Sequence, residues 1–373
     1  MNILVTGAAG FIGANLVHDL RARCPDDTVL AFDRDSDPAD LDRFAQACDF
    51  AFHLAGVNRP SDPADFMTGN RDLTRHLTLA LERHHNPAPL VLSSSIQAAL
   101  DNPYGQSKRA AEEAAFEHAR RTGAPVFVYR LPNAFGKGSR PNYNSAIATF
   151  CHRAARGLPL DVREPERPMT LAYIDDILDE FWRALAGQPT RDGDFCRVPL
   201  THQACLGDIA RRVEQLALCR RASQAPDLTD PLTRKLYATF LSHLPESDWL
   251  TPLEMKSDAR GSFTEFLRLG GHGQVSVNVA RPGVTKGGHW HHTKSEKFLV
   301  VSGQGRIRLR RLGSSDIIAF EVSGDRFTVV DIPVGYAHEI TNIGASDLIT
   351  LMWASEPFDP ERPDTFFEPV ETP

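Results

Sequence analysis

Asn2-Ile3-Leu4-Val5-Thr6-Gly7-Ala8-Ala9-Gly10-Phe11-Ile12-Gly13 opens the chain with an apolar run, three spaced glycines and the start of a helical pattern. That order predicts a strand, a tight turn and a helix whose N-terminus faces a phosphate. Gly7 lets the backbone turn sharply, Gly10 lets it approach a pyrophosphate, and Gly13 lets the helix pack closely on the sheet. Phe11 and Ile12 lie between the last two glycines and belong to the same cofactor-facing stretch. Working outward, Val29-Leu30-Ala31-Phe32, Phe50-Ala51-Phe52-His53-Leu54, Leu90-Val91-Leu92 and Val126–Leu131 read as further buried strands. Residues 11–23 and 66–85 between them have helical spacing. This alternation predicts an α/β fold, a Rossmann-type doubly wound parallel sheet.

The chain has 373 residues, enough for two domains with separate cores. Its 42% hydrophobic and 24% charged content is that of an ordinary soluble globular protein. A net charge of -7 offers no footprint for nucleic acid. No run of apolar residues is long enough for a membrane span, and a strand starting at residue 2 leaves no room for a signal peptide. The six cysteines form no C-x-x-C pair and read as buried or idle thiols in a reducing, cytoplasmic setting. Residues 133–250 are less regular and suit a region that caps a substrate. A polar stretch around Pro245-Glu246-Ser247-Asp248 and Thr251-Pro252 sets the expected domains at 1–248 and 252–373. Beyond it, Gln274-Val275-Ser276-Val277-Asn278-Val279 and Gly305-Arg306-Ile307-Arg308-Leu309-Arg310 alternate with period two. Phe298-Leu299-Val300-Val301, Phe327-Thr328-Val329-Val330 and Leu348-Ile349-Thr350-Leu351 add strands without helices between them. The second domain is therefore expected to be an all-β sandwich or barrel.

At the end of the second predicted strand stand Asp33 and Arg34. An acid there binds a ribose 2′-hydroxyl, as in NAD, and an arginine there pairs with a 2′-phosphate, as in NADP, so the residues leave both cofactors open. Downstream, Tyr104 and Lys108 are four apart and share one helix face. The ammonium of Lys108 is expected to lower the phenol pKa of Tyr104 and make it a usable acid. The strand end Ser93-Ser94-Ser95 offers a hydroxyl to hold a substrate carbonyl, with Ser95 favoured. With His53-Leu54-Ala55-Gly56, Gly69-Asn70, Arg130-Leu131-Pro132-Asn133-Ala134-Phe135-Gly136 and Tyr173-Ile174-Asp175-Asp176, residues 1–245 resemble the extended short-chain dehydrogenase/reductase superfamily. The resemblance implies Ser95, Tyr104 and Lys108 as the catalytic set, with Ser95, Tyr104 and Asn133 at a nucleotide-sugar substrate. It also implies that Leu54, Ala55, Asn70 and Lys108 lie near the cofactor. The interval from Ser95 to Tyr104 is nine residues, shorter than the superfamily's usual spacing.

His289 and His291 stand at alternate positions and point the same way from one strand. Glu296 on the next strand and His338 from a distant one can complete a three-nitrogen, one-oxygen set. Such ligands suit zinc, iron, nickel or manganese with positions left open. His292 falls on the opposite face and reads as a surface residue. Together with Gly283, Gly303, Pro333, Gly335 and Asn342 the set resembles both signature motifs of the cupin fold, a jelly-roll barrel.

A reductase followed by a cupin resembles the CapF-type bifunctional enzymes of bacterial capsular polysaccharide synthesis. Val57-Asn58-Arg59-Pro60, Ser93-Ser94-Ser95-Ile96-Gln97-Ala98, Pro141-Asn142-Tyr143-Asn144-Ser145, Gly261-Ser262-Phe263-Thr264-Glu265-Phe266 and His289-Trp290-His291-His292-Thr293-Lys294 carry the resemblance. It implies NADPH, a zinc cupin, a homodimer and a UDP-linked 4-ketosugar substrate. Chemistry then orders the steps: C3 is acidic only beside a C4 ketone, and reduction destroys that ketone. For the C3 base the sequence offers Lys286, His272 and Glu339. The rival readings are a dinucleotide-binding sensor or scaffold without turnover, a reductase fused to a dioxygenase cupin, and an epimerase with tightly held NAD.

Overall fold

The computed structural model describes residues 1–371 and divides into two compact units. The first is Met1–Glu214 with Thr229–Pro245, and the second is Gln215–Leu228 with Glu246–Pro373.

In the first unit, β1 (Asn2–Thr6), β2 (Thr28–Phe32), β3 (Phe50–His53), β4 (Leu90–Ser95) and β5 (Val126–Leu131) run parallel. They alternate with α1 (Phe11–Arg23), α2 (Pro38–Ala47), α3 (Leu73–Arg83) and α4 (Pro103–Thr122). Next come β6 (Asn133–Phe135), α5 (Ala146–Ala155), β7 (Pro168–Tyr173), α6 (Ile174–Leu185), β8 (Arg191–Asp192) and β9 (Phe195–Cys196). β10 (His202–Cys205), α7 (Leu206–Arg221) and α8 (Pro231–Ser242) follow. The main sheet has the order β2-β1-β3-β4-β5-β9-β8, and β10-β7-β6 form a smaller one. The strand order reverses between β1 and β3, which is where an open α/β sheet leaves a crevice for a ligand.

Local chemistry explains the elements that carry functional residues. Ile3, Leu4, Val5, Phe52, Leu90 and Val91 are buried, as strands covered on both faces require. The α4 helix starts on Asn102, whose side chain accepts from the Gly105 amide, with Pro103 in the first turn, and stops on Gly123 in the left-handed region. Residues expected as one helix from 66 to 85 form a π-helical stretch, Met67–Asp72, running into α3. A Cβ on Gly69 would lie 2.2 Å from the Val57 side chain, so this glycine permits the close packing there.

The second unit is antiparallel. Its strands are β11 (Lys256–Asp258), β12 (Gly261–Arg268), β13 (Gln274–Ala280), β14 (Thr285–Trp290), β15 (Glu296–Ser302) and β16 (Gln304–Arg311). They continue with β17 (Ile317–Ser323), β18 (Val329–Ile332), β19 (Tyr336–Asn342), β20 (Leu348–Ala354) and β21 (Phe366–Phe367). Two sheets, β11-β12-β13-β20-β15-β18 and β17-β16-β19-β14-β21, make a jelly-roll barrel of the cupin kind. Phe298, Val300 and Ile332 from one sheet meet Ile307, Leu309 and Ile340 from the other in a single core. The strand expected at 327–330 begins only at Val329, because Ser323 bridges to Arg326 across the preceding turn and leaves Phe327 exposed.

On β13 the alternation runs opposite to a simple core strand. Gln274, Ser276 and Asn278 are the buried phase, and Val275, Val277 and Val279 are half-exposed. The polar phase faces a cavity of about 950 Å³, while the apolar core lies toward β15 and β18. No described helix is long and apolar enough to cross a membrane.

Ile307 is fully buried in the core between the two sheets. Ile307→Ala is expected to cost about 2–5 kcal/mol in a denaturant melt. A change under about 0.5 kcal/mol would contradict the packing described.

Candidate active sites

In the first unit the glycine turn meets the end of β3 backbone to backbone. Gly7 has φ 69°, and a Cβ there would sit 2.6 Å from the Ala55 nitrogen. A Cβ on Gly13 would sit 2.0 Å from the Gly7 oxygen. Leu54 and Ala55 donate their amides to the Thr6 carbonyl and hydroxyl at 3.1 and 3.3 Å. The α1 helix starts at Phe11 and Ile12 after Gly10, with no side chain capping its first amides. A cradle that any Cβ would fill, at a helix N-terminus and a switch point, fits a dinucleotide pyrophosphate.

The Asp33 carboxylate accepts from the Ala9 amide at 2.6 Å and the Arg34 amide at 2.8 Å, tying the glycine turn to the end of β2. The Arg34 side chain is 92% exposed. Asn70, expected near the cofactor, is fully buried. Its amide brackets Val57, at 3.0 and 2.8 Å, and donates to the Ser107 hydroxyl at 2.9 Å. It therefore fixes the Val57 turn against α4, since its polar atoms are taken up within the protein.

The three serines at the end of β4 separate by partner. Ser93 donates to the His53 carbonyl at 3.4 Å, and Ser94 to Glu112, which also holds Arg130 in a two-bond pair at 3.0 and 2.7 Å. Ser95 is the one in contact with the Tyr104 hydroxyl. Lys108 is buried, donates to the Ser93 carbonyl at 3.0 Å and has its nitrogen 6.0 Å from the Tyr104 ring centre. Asn133 lies at the start of β6, exposed, with its amide on the Thr170 carbonyl at 3.0 Å.

Electrostatics here correct one expectation. The Tyr104 pKa is raised, not lowered: burial raises it, and the Ser95 contact pulls back only in part. Burial also pushes Lys108 down to about 8, against the opposing pull of Glu112. Desolvation sets the direction of both shifts. His53 is pushed down to about 3 by burial, then by Lys108, and bridges Thr6 and Thr74 as a neutral ring at 2.7 and 3.0 Å.

In the second unit both sheets contribute to one cluster. His289 on β14, His291 just beyond it and His338 on β19 come from one sheet, and Glu296 opens β15 on the other. Their ligand atoms all lie within 4.8 Å of one another. Glu296 Oε2 is 3.0 Å from His338 Nε2 and 3.4 Å from His291 Nε2, yet all three buried atoms lack a hydrogen-bond partner. They converge on a common point without bonding each other, which fits a metal ion. His291 and His338 use Nδ1 on the carbonyls of Asp364 and Tyr336, the latter at 3.2 Å, so each Nε2 presents a lone pair. Burial, then the neighbouring His338 and His291, push His289 down to about 4, so it too is neutral near pH 7. Burial favours the acid form of Glu296, but its contacts with His291 and His338 outweigh that and keep it ionised. His292 is exposed.

Sequence reasoning missed Asp364. Its carboxylate accepts from the amides of His292, Thr293 and Lys294 at 2.9, 3.0 and 3.0 Å, and its carbonyl holds His291. Buried Lys294 donates to the Pro363 carbonyl at 3.0 Å. The C-terminal segment thus clamps the ligand loop across some 70 residues of sequence, a separation at which no local motif forms. Of the three residues considered for a C3 base, only Lys286 lines the cavity. Its ammonium donates three bonds, to Ser262 O, Asn278 Oδ1 and Val279 O at 3.1, 3.0 and 2.7 Å, and so offers no lone pair. Glu339 is bound by Arg308, and His272 lies in a turn where its carbonyl accepts from Trp353.

A short-chain reductase joined to a cupin is the class that the fold and the two sites define. Residues 3–194 match the NAD dependent epimerase/dehydratase family, and residues 256–366 match the polysaccharide biosynthesis C-terminal domain. The chain is 42% identical to UDP-2-acetamido-2,6-beta-L-arabino-hexul-4-ose reductase of Pseudomonas aeruginosa, over 98% of each chain. It superposes on the capsular polysaccharide assembling protein CapF from Staphylococcus aureus with a TM-score of 0.93 and 46% identity, over 99% of this chain and 100% of that one. UDP-glucuronic acid 4-epimerase from Bacillus cereus, solved with NAD, covers 65% of this chain and 96% of its own at a TM-score of 0.55. Its 19% identity speaks to fold alone. The chain belongs to the CapF-type family, an extended short-chain dehydrogenase/reductase followed by a cupin-type polysaccharide biosynthesis domain.

Two outcomes follow from these geometries. Asp364→Ala is expected to weaken divalent-metal binding about 10–100-fold in a chelator competition, and unchanged affinity would contradict the clamp. The folded pKa of Lys108 lies below its unfolded value, so its buried charge destabilises the fold fully below about pH 8, and that cost falls progressively as pH rises from about 8 toward the unfolded value of 10.5. Lys108→Met is accordingly expected to raise Tm at pH 7 and to lose that advantage progressively between about pH 8 and 10.5, and a pH-independent difference would contradict the burial argument.

Proposed function

We propose that this protein acts twice on one UDP-linked 2-acetamido-2,6-dideoxy-4-hexulose. C3 is epimerised at the cupin site, and the C4 ketone is then reduced with NADPH. The product is a UDP-N-acetyl-L-talosamine-type sugar, a precursor of UDP-N-acetyl-L-fucosamine for capsule or O-antigen. One observation carries the reading: a Ser–Tyr–Lys set and a three-His, one-Glu set occur in one chain, each suited to one of two steps that share a ketone. The relative from Pseudomonas aeruginosa is named UDP-2-acetamido-2,6-beta-L-arabino-hexul-4-ose reductase, which supports the substrate class.

In the reduction, Ser95 holds the C4 oxygen and Tyr104 gives it a proton. The raised pKa keeps that proton on the phenol at neutral pH, ready for transfer. Lys108, beside the ring, stabilises the tyrosinate left behind. Asn133 holds the sugar. Gly7, Gly10, Phe11, Ile12, Gly13, Leu54 and Ala55 cradle the cofactor, and the exposed Arg34 favours the 2′-phosphate of NADPH, which supplies the hydride. His289, His291, Glu296 and His338 would hold zinc, whose chemistry is to polarise a ketone beside the acidic C3–H. The reductase domain is read as 1–248 and the cupin domain as 252–373. A cytoplasmic homodimer suits this reading, with Ile317, Ile318 and Phe320 exposed on the edge strand β17 as the surface for a second copy.

Tyr104→Phe is expected to lower the rate of NADPH oxidation about 10²–10⁴-fold with the 4-ketosugar, while metal content stays unchanged. Oxidation at the parental rate, followed by absorbance, would remove Tyr104 from the reduction.

A further inference from the structure

The polar wall of the second unit's cavity contains one buried donor without a partner. Asn278 on β13 is 2% exposed, lines the cavity, and its Nδ2 has no hydrogen-bond partner among the described residues. The orientation of the amide is fixed by its neighbour. A lysine can only donate, so the atom 3.0 Å from Lys286 Nζ must be the amide oxygen. Lys286 is itself pinned by the carbonyls of Ser262 and Val279, which prevents it from following a flipped amide. The NH₂ group therefore points away from the ammonium, and the adjacent positive charge makes it a stronger donor.

The neighbours on this wall are satisfied. Gln274 donates to Ser276 at 3.3 Å and accepts from the Phe358 amide at 2.8 Å. Two ion pairs on the cavity lining satisfy their own charges, Arg260 with Asp258 at 2.7 Å and Arg268 with Glu265 at 2.6 Å. Apart from the Glu296 and His338 atoms of the four-residue cluster, the unmatched buried group on this lining is an uncharged donor, which suits a neutral carbonyl oxygen. Asn278 and Lys286 line the same cavity as His289, Glu296 and His338 of the four-residue cluster.

Building on the proposed function, we infer that Asn278 is a specificity residue of the cupin site. Its Nδ2 donates to the carbonyl oxygen of the substrate's 2-acetamido group, and Lys286 holds the amide in the donating orientation. A substrate with a hydroxyl at C2 lacks that carbonyl and leaves the donor unmatched, which is the kind of loss that discriminates strongly.

The test uses the full-length, metal-loaded protein in D2O without NADPH, with deuterium entry at C3 read by NMR. Two probes are compared, the UDP-linked 2-acetamido-2,6-dideoxy-4-hexulose and its analogue with a 2-hydroxyl. The unaltered protein is expected to favour the acetamido sugar at least tenfold in exchange rate over KM. Asn278→Ala and Asn278→Asp are expected to bring that preference to within twofold, with metal content unchanged. The aspartate variant, equal in size, serves if the alanine variant does not fold. Variants that keep the full preference overturn the inference, as does an unaltered protein that exchanges both sugars equally. No C3 exchange with either sugar overturns the proposed function, and this subsite with it.

Discussion

Three imidazoles and a carboxylate, drawn from two facing sheets, bring their ligand atoms within 4.8 Å of one another, and three of those buried atoms have no hydrogen-bond partner. The second unit is organised around that constraint. Buried lone pairs turned toward one point are costly unless something shares them. The surrounding structure fixes their directions: the Asp364 carbonyl turns His291, the Tyr336 carbonyl turns His338, and β14 carries a register shift between Gly287 and His289. The same demand keeps the barrel from filling with apolar side chains. Ala354 stands between Gln274 and Glu296 in one cross-strand row, and its small side chain leaves room beside the cluster.

The first unit solves a different problem, bringing backbone next to backbone. Glycine at 7 and 13 lets β1, the end of β3 and the start of α1 meet where the sheet order reverses, leaving helix amides for a diphosphate. Around this, buried polar residues act as struts. Asn70 locks the Val57 turn to α4, and Glu112 joins Ser94 to Arg130. Glu112 sits on α4 with Tyr104 and Lys108, and Asn70 bonds that helix through Ser107 from the Met67–Asp72 stretch.

Much of this was legible in the sequence because the signals are local. The helix over residues 11–23 and the strand over 126–131 read directly, and the four cluster residues could be named from spacing. What was not legible depends on packing. The polar phase of β13 faces inward only because a cavity, not a core, lies there. Asp364 acts on residues about 70 positions away. The direction of the Tyr104 shift follows from burial, which no i, i+4 spacing reveals. The stretch Gln215–Leu228 packs with the second unit although it precedes the polar boundary.

The proposal that both sites serve one sugar in a fixed order is tested most directly in a single sample. The enzyme, NADPH and a C3-protio UDP-linked 4-ketosugar are mixed in D2O, and the reduced product is read by NMR. Deuterium at C3 of the product is the expected result, because epimerisation must expose that carbon to solvent before the ketone is lost. Reduced product that retains protium at C3 would contradict the order and leave the cupin without a chemical step.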